Sequence, residues 1–297
     1  MKKGSQFKQL LFVFLLVGFG SLHSQIVPLK NAYAHNDYWH KRPLFDALDK
    51  GFTYMEADIY LKRGKLIVAH ILPSIKAKRT LEALYFKPLN DCITEDIKRN
   101  KNKLCITLMI DIKTDATKTY AVLLPLLQKY KSILSTFENG VFNRRNVTIV
   151  ITGHKPFASI KSNECRLAFI DEDLRQTGID SSSNTYITAS CKYSKLLHWK
   201  GEGLLPEKER ERLQFFVLQA HAYGRIVRLW ASPENSVVWN ELLKCDVDLI
   251  NTDRLEDLRI FLVSAVEMIT KKEVAIIKSL SADNIISISG EGHILKK

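Results

Sequence analysis

Four short polar motifs early in the chain contain side chains that could hold a cation and move protons. They are His35-Asn36, Glu56-Ala57-Asp58, His70 and Asp111-Ile112-Lys113, and each lies at the end of a β-rich run. Glu56 and Asp58 are two residues apart, so their side chains face the same side of a strand. Two carboxylates on one face repel each other unless a cation lies between them. Their oxygens prefer a hard cation such as Ca²⁺ or Mg²⁺.

Two further residues complete the predicted cation site. Asp111 adds a third carboxylate from a neighbouring run, and Asn36 adds a neutral carbonyl oxygen. We therefore expect one divalent cation on Asn36, Glu56, Asp58 and Asp111, with room left for water and substrate. Ca²⁺ is favoured over Mg²⁺ because a neutral amide oxygen joins the three acids.

The histidines and the lysine add the groups that a reaction at this site would need. His35 and His70 are predicted to be catalytic, since a histidine pair suits general acid–base work near neutral pH. Lys113 can neutralise a phosphate oxygen, and the full set indicates phosphodiester cleavage. Each motif alone also has a simpler interpretation, because E-x-D is common on strands and D-x-K is usually an exposed ion pair. The occurrence of all four at the ends of β-rich runs favours the site.

The elements that must position these side chains are β-rich runs alternating with helix-like stretches. The runs are Asn31–His35, Thr53–Ile59, Leu66–His70, Leu104–Asp111, Val147–Thr152, Arg166–Ile170, Tyr186–Ser190, Ile226–Ala231 and Asp248–Thr252. The helix-like stretches are Pro43–Lys50, Thr80–Asn102, Thr117–Tyr130, Glu207–Tyr223, Glu234–Lys244 and Leu255–Thr270.

This alternation favours parallel βαβ units. Eight strands over roughly 250 residues predict a single-domain α/β fold, a TIM (β/α)8 barrel, with its site at the carboxyl ends of the strands. The runs ending at Asp58 and His70 are predicted to form a hairpin, because a short Lys-Arg-Gly turn joins them. A doubly wound open sheet is the alternative, but no G-x-G-x-x-G motif or P-loop supports it.

Both ends of the chain are predicted to lie outside the barrel, which is assigned to residues 25–270. Residues 1–24 combine a basic start, an apolar run and small residues near Ser24. This pattern predicts a signal peptide and export to the periplasm or the exterior, with an uncleaved anchor as the alternative. Residues 271–297 form a tail with no assigned chemistry. No later stretch contains the about 18 apolar residues that a membrane span needs.

Composition limits the function further. With 46% hydrophobic and 26% charged residues, the chain is not disordered, collagen-like or a disulfide-packed miniprotein. Its formal net charge of +12 falls to about +9 without the signal-peptide lysines and indicates an anionic partner. The five cysteines include no C-x-x-C pair, so no cysteine zinc site is expected. Cys105 is interpreted as a buried free thiol, and His221 as a structural histidine.

These motifs resemble those of the superfamily of phosphatidylinositol-specific phospholipase C-like and glycerophosphodiester phosphodiesterases. Glycerophosphodiesterases contain H-R-G, E-x-D, a second His and E-x-K in this order. The segments Ala34–Tyr38, Arg42–Leu44, Val68–His70 and Arg79–Glu82 are similar to the subgroup related to the yeast altered inheritance of mitochondria protein. The later segments Arg228–Trp230 and Asp248–Asp253, together with Trp239, match it too. The resemblance therefore covers about residues 30–263.

The resemblance implies a TIM-barrel phosphodiesterase. It implies that His35 and His70 form the acid/base pair, that the cation lies on Asn36 and the three acids, and that Lys113 contacts phosphate. Trp230 and His154 are candidate pocket residues. Asn36 stands where glycerophosphodiesterases have Arg, which removes one phosphate contact. The expected substrate is a glycerophosphodiester- or phospholipid-type phosphodiester, with possible peripheral contact to an anionic membrane.

A second class of function stays open at this point. An inactive secreted protein that binds phospholipid headgroups or polysaccharide would use the same excess of basic residues. The complete set of acids and histidines argues against it, since a pure binder does not need two proton-transfer groups. Nucleic-acid binding is disfavoured, because the chain has neither an aromatic-basic motif nor a dense Lys/Arg helix.

Overall fold

Strands and helices alternate through the part of the chain that the computed structural model describes, residues 27–71, 76, 78–98, 105–179 and 184–265. The predicted signal peptide (1–24) and tail (271–297) lie outside the described residues. Both segments and the domain limits at 25 and 270 therefore stay predictions. Among the described residues, no helix combines the length and apolar character needed to cross a membrane.

The strands within the described residues are numbered in chain order. They are Leu29–Ala34 (β1), Phe52–Lys62 (β2), Lys65–Val68 (β3), Ile106–Ile112 (β4), Thr136–Glu138 (β5), Val141–Asn143 (β6), Val147–Gly153 (β7), Phe169–Asp173 (β8), Tyr186–Lys192 (β9), Ile226–Trp230 (β10) and Leu249–Thr252 (β11).

The helices lie between the strands. They are Phe45–Leu48 (α1), Lys87–Lys98 (α2), Ala116–Lys129 (α3), Phe157–Lys161 (α4), Glu207–Ala222 (α5) and Ser236–Lys244 (α6), and residues 255–265 are also helical. A π-helical turn, Glu82–Phe86, leads into α2. Two helix starts have side-chain caps: the Lys118 N–H donates to the Asp115 side chain (2.7 Å), and the Val238 N–H donates to Asn235 (2.9 Å).

Eight parallel strands close into a ring, which confirms the predicted (β/α)8 barrel. Their order is β1-β2-β4-β7-β8-β9-β10-β11, and β1 pairs with both β2 and β11. The predicted hairpin is also present, since β3 pairs antiparallel with the second half of β2. Its turn residues Arg63 and Gly64 both have positive φ, the backbone shape of a tight hairpin turn.

Two local expectations were wrong, and one element was missed. The strand predicted at Arg166–Ile170 begins at Phe169, because Arg166 exchanges two backbone hydrogen bonds of 2.9 Å with Phe137 instead of joining the barrel. Phe137 belongs to the short β5–β6 hairpin, which the sequence reasoning did not predict. Cys105 is free, as expected, but exposed rather than buried, because β4 begins one residue later.

The barrel interior is layered along the strand direction. Alternate residues of each strand face inward, and one apolar layer crosses the barrel: Tyr33, Met109, Val150 and Leu249. Glu56 is the register partner of Met109 in this layer, and Asp58 and Asp111 lie two residues further toward the strand carboxyl ends. This layer therefore separates the acidic end of the barrel from its other end.

Candidate active site

Three carboxylates converge at the carboxyl ends of β2 and β4. Asp58 and Asp111 are register partners on these neighbouring strands, and Glu56 lies on the same face of β2. One oxygen of each lies within 4.8 Å of the others. Glu56 and Asp58 are buried, and Asp111 is partly exposed. A Cβ at Gly153 would collide with the Asp111 carboxylate. The absence of a side chain at Gly153 therefore leaves room for the carboxylate of Asp111.

Lys113 lies directly beside these acids. Its backbone N–H donates to Ile59 O (3.0 Å), which fixes the chain just after β4. Its Nζ lies 2.7 Å from Asp111 Oδ2 and 3.0 Å from Asp58 Oδ2. The ammonium therefore bridges two of the three carboxylates, and their charges raise its pKa even though partial burial alone would lower it.

His35 is held by a carboxylate that sequence reasoning did not assign. Its Nδ1 lies 2.8 Å from Asp253 Oδ1, at the carboxyl end of β11. A carboxylate only accepts hydrogen bonds, so Nδ1 carries a proton. Nε2 lies 3.4 Å from Glu56 Oε2. Burial alone would lower the pKa of His35, but the bond to Asp253 and the charge of Glu56 outweigh it and raise that pKa.

Asn36 connects the first histidine to the second. Its backbone is left-handed (φ 46°), a conformation that Asn adopts more readily than most residues. Its Nδ2 donates to Asp253 Oδ1 (3.1 Å), and its Oδ1 accepts from Tyr38 Oη (2.6 Å). The side-chain amide is thus oriented from both ends.

His70 is held by Tyr38 and an acid. Its Nδ1 lies 3.2 Å from Asp58 Oδ2 and 3.2 Å from Tyr38 Oη. Since the Tyr38 hydroxyl already donates to Asn36, it accepts from His70, and the Nδ1 proton is shared with Asp58. Trp39 packs edge-on against the imidazole, with ring centroids 5.1 Å apart. As for His35, a carboxylate fixes Nδ1 and leaves Nε2 for chemistry.

The pKa of Asp58 is raised to about 6. Burial is the largest cause, and the neighbouring Glu56 charge adds to it, while Lys113 acts in the opposite direction. A cation close by would stabilise the ionised form of a carboxyl group whose pKa is raised this far.

A buried guanidinium lies beneath the acids. Arg228 Nη1 lies 2.9 Å from Asn251 Oδ1 and 3.7 Å from Glu56 Oε1, and the guanidinium lies over the Tyr33 ring at 4.3 Å. Asp171 adds a fourth interior carboxylate, which accepts hydrogen bonds from Thr152, Thr188 and Ser190. These groups connect the acidic end to the apolar layer.

Seven of the nine predicted site residues come together in this network: His35, Asn36, Glu56, Asp58, His70, Asp111 and Lys113. The other two lie on the rim around it. Trp230 is the last residue of β10, 39% exposed, with the Lys192 ammonium 5.8 Å from its ring. His154 is exposed just after β7, and its backbone N–H donates to Ile112 O (2.9 Å).

Sequence reasoning missed Tyr38, Arg228 and Asp253. The signal for two of them was the alternation of strand residues, since Arg228 is two residues from Trp230 and Asp253 two from Asn251. Tyr38 follows a strand end and has no comparable signal.

Comparison with known proteins identifies a family that matches this chain. The profile of the AIM6-like phosphodiesterase domain matches residues 21–171, about half of the chain. The chain belongs to this family. The matched range spans the positions of His35, Glu56, Asp58, His70 and Asp111, and the match confirms the family resemblance seen in the sequence.

Two fungal relatives extend the similarity over most of the chain. Altered inheritance of mitochondria protein 6 of Kluyveromyces lactis is 27% identical over 310 aligned positions, covering 81% of this chain and 74% of that protein. Its homolog in Arthroderma benhamiae is 25% identical, covering 77% of this chain and 82% of that protein.

Among solved structures, the phosphatidylinositol-specific phospholipase C from Listeria monocytogenes is a weak match. Its TM-score is 0.32 at 13% identity, covering 73% of this chain and 94% of that enzyme. The barrel assignment therefore rests on the strand pairing itself.

Proposed function

We propose that the chain is a divalent-metal-dependent phosphoric diester hydrolase that acts on a glycerophosphodiester- or phospholipid-type substrate. The observation that carries this proposal is the pair of histidines, His35 and His70, beside three convergent carboxylates. Each imidazole is fixed through Nδ1 by a carboxylate, at 2.8 Å from Asp253 and 3.2 Å from Asp58. Membership of a phosphodiesterase-domain family supports the reaction type.

The side chains present fit a divalent cation. Asp111 Oδ1 is buried and accepts no hydrogen bond among the described residues. When ionised, the three convergent carboxylates and Asp171 outnumber the cations Arg228 and Lys113, which leaves two uncompensated negative charges inside the barrel mouth. Buried charge without a partner is costly, and one divalent cation supplies the missing charge. We assign Glu56, Asp58, Asp111 and Asn36 as its ligands, with Ca²⁺ favoured over Mg²⁺.

A bound cation of this kind would offset the charge of a phosphate oxygen and acidify a neighbouring substrate hydroxyl. The chain's own residues move the protons. One histidine takes the proton of the attacking hydroxyl through Nε2, and the new O–P bond forms as the bond to the leaving alcohol breaks. The other histidine gives its proton to the leaving oxygen. Water then opens the cyclic phosphodiester with the two roles reversed.

Asp253, Asp58 and Lys113 support these steps. Asp253 holds His35 in one tautomer, and Asp58 does the same for His70. Lys113 is placed to offset charge that grows on the phosphate oxygens in the transition state. Lys113 Nζ already contacts Asp58 and Asp111. A bound phosphate therefore shares the ammonium with these two carboxylates.

The rim around the site fits a phospholipid surface. Trp39, Ile71 and Trp230 are exposed by 57%, 52% and 39%, and Lys192 lies over the Trp230 ring. Exposed aromatic and aliphatic side chains beside lysine suit the interface of an anionic membrane. We propose peripheral contact there, which presents a headgroup to the site.

A panel of phosphodiesters tests the function. Soluble diesters and vesicles carrying glycerol, choline or inositol groups are incubated with the protein and Ca²⁺, and products are followed by phosphorus NMR. We expect release of one alcohol with a cyclic phosphate appearing first. Binding of the panel without turnover, under Ca²⁺ and under Mg²⁺, would make the chain a headgroup-binding protein and contradict the proposal.

A further inference from the structure

A continuous chain of hydrogen bonds joins the two histidines of the site. It runs from His35 to Asp253, and then through Asn36 and Tyr38 to His70. Asp253 Oδ1 lies 2.8 Å from His35 Nδ1 and 3.1 Å from Asn36 Nδ2. Tyr38 Oη lies 2.6 Å from Asn36 Oδ1 and 3.2 Å from His70 Nδ1. The two middle members, Asn36 and Tyr38, are buried, so water has little access to their bonds.

Asp253 fixes the orientation of the Asn36 amide. A carboxylate only accepts hydrogen bonds, so the amide presents its nitrogen to Asp253 and its oxygen to the other side. The opposite orientation would place Oδ1 against the Asp253 carboxylate. Asn36 Nδ2 also lies 2.9 Å from His35 Nδ1, and both nitrogens have Asp253 Oδ1 as their acceptor.

The amide orientation then fixes the direction of the bond at Tyr38. Asn36 Oδ1 can only accept, and Tyr38 is its only donor among the described residues, so the single hydroxyl proton goes to it. The Asp58 carboxylate also lies near this hydroxyl, but its Oδ2 is already 3.0 Å from Lys113 Nζ. The hydroxyl oxygen is left to accept from His70 Nδ1, which must therefore carry a proton.

We propose that Asp253 sets the proton position on both histidines of the phosphodiesterase site. It acts on His35 directly and on His70 through the two side chains between them, which makes Tyr38 a positioning residue. The chain keeps a proton on each Nδ1, so Nε2 is the nitrogen at which either histidine gains or loses a proton. The catalytic meaning of this control rests on the function proposed above, whereas the hydrogen-bond directions do not.

The proton position on His70 is measured by NMR of the full chain with ¹⁵N-labelled histidine. Protonated and unprotonated ring nitrogens give well-separated signals, and His70 is assigned by its absence in His70→Ala. Spectra are recorded in chelator at about pH 8.5, where an ordinary histidine is neutral. In the natural sequence we expect a protonated Nδ1 and an unprotonated Nε2. The reverse form would overturn the proposal, because the Tyr38 hydroxyl would then donate to His70 instead of Asn36.

Variants in an Asp58→Ala background isolate the contribution of Tyr38. Asp58 Oδ2 also lies 3.2 Å from His70 Nδ1, so its removal leaves the Tyr38 hydroxyl as the described partner of that nitrogen. There, Tyr38→Phe should lower the ratio of the Nδ1–H form to the Nε2–H form by about fivefold, since one hydrogen bond is worth about that much. Tyr60→Phe is the matched control and should leave the ratio unchanged, because the Tyr60 hydroxyl donates to the His70 backbone O (2.9 Å) and not to the ring.

Asp253→Ala in the same background tests the far end of the chain. Among the described residues, Asp253 has no hydrogen bond or ion pair with His70, yet its loss frees the Asn36 amide to reverse. The ratio at His70 should therefore fall by about twofold or more. Asp173→Ala removes another partly exposed carboxylate at the same end of the barrel and should leave the ratio unchanged. An unchanged ratio in either Tyr38→Phe or Asp253→Ala would overturn the proposal.

These spectra need neither cation nor substrate, so they separate the hydrogen-bond chain from the proposed function. A protein with Nδ1–H on His70 and no turnover of the panel would keep the chain and lose the phosphodiesterase. A protein that cleaves the panel with Nε2–H on His70 would do the reverse. Because the first spectrum is recorded on the natural sequence, poor folding of a variant does not shield the proposal.

Discussion

Strand β11 has a histidine–aspartate pair at each of its ends. Asp253, just after the strand, lies 2.8 Å from His35 Nδ1, and Asp248, just before it, lies 2.8 Å from His221 Nε2. The two pairs have the same residue types and the same separation. Their surroundings differ. His35 also faces Glu56 and belongs to the acidic network, whereas Asp248 Oδ2 also accepts the Val227 backbone N–H at 2.7 Å.

Under the proposed function, a pair's neighbours, and not its own geometry, decide whether it does chemistry. At the carboxyl ends of the strands, carboxylates, imidazoles and an ammonium converge on one space. At the amino ends, Asp248 joins a helix end to a strand start. The prediction from sequence that His221 is structural agrees with this arrangement.

The largest effect is expected at the first pair. Replacing both histidines, in a His35→Ala/His70→Ala variant, should lower turnover by about 10³-fold or more, because positioned acid–base groups each contribute roughly 10²–10⁴-fold. Substrate binding should change far less. The measurement is steady-state kinetics on the panel substrate that the protein cleaves best, and His221→Ala is the matched control. Equal losses in the two variants would erase the distinction between the ends of β11.

The next effect concerns the stability of the acidic end. Arg228→Met should lower the free energy of unfolding by about 3–5 kcal/mol in chelated protein, since it leaves Glu56 and Asp171 without their buried cation. Urea denaturation measures it. Arg175→Met removes an exposed pair with Asp173 (2.8 Å) and should cost less than about 1 kcal/mol. An Arg228 variant as stable as the control would show that the acids do not need this guanidinium.

Cation affinity sharpens the comparison further. Asp111→Asn keeps the shape of the side chain and removes one ligand charge, so Ca²⁺ binding should weaken by at least about tenfold. Calorimetric titration gives the affinity directly. Asp115→Asn, at the first cap of α3, is the control because Asn caps a helix as well as Asp. If Asp111→Asn binds Ca²⁺ as tightly as the unmodified protein, the ligand assignment is wrong.

A smaller effect is expected on pH dependence without metal. The fold raises the pKa of Asp58 to about 6 and also raises that of His35, so both groups bind protons more tightly when folded. The stability that Asp58 and His35 contribute is present at low pH and is lost as pH rises through their pKa values in the folded protein. The free energy of unfolding should fall by about 1–3 kcal/mol between about pH 4 and pH 8.

Asp58→Asn isolates the share of this effect that comes from the carboxyl group. It should remove the part of the decline centred between the ordinary pKa of an aspartate and about pH 6, leaving the part from His35. Asp253 does not interfere, because its pKa is lowered and its contribution is complete above about pH 4. Denaturation curves at several pH values in chelator give the result. A rise in stability with pH over this window would contradict the raised pKa values of Asp58 and His35.

The smallest effect belongs to the other pair. His221→Ala should lower the free energy of unfolding by less than about 1 kcal/mol, because both partners are about one-third exposed and such pairs contribute little. Turnover should stay within about twofold. Thermal denaturation gives the first value and the kinetic assay the second. A loss of several kcal/mol would mean that the pair at the amino end is a major support of the barrel.

Much of this arrangement was predictable from local pattern. The β-rich runs located the barrel strands, and polar residues at their ends located His35, Glu56, Asp58, His70 and Asp111. Strand alternation also points to Asp253 and Arg228, which lie two residues from Asn251 and Trp230.

Other features depend on contacts that no local pattern reports. Arg166 pairs with Phe137 across almost thirty positions, which delays the start of β8 and creates the β5–β6 hairpin. Cys105 is exposed because β4 begins one residue after it. Tyr38 joins Asn36 to His70 only because β1 and β3 end at the same side of the barrel.

Cation dependence is the property on which the proposed phosphodiesterase site at the carboxyl end of the barrel depends. It is tested by measuring turnover of the best panel substrate after chelation and during stepwise return of Ca²⁺. We expect chelation to abolish turnover, and activity to return in proportion to Ca²⁺ up to one equivalent per chain. Turnover that persists in excess chelator would refute the cation site and leave Lys113 and Arg228 as the described cations among these acids.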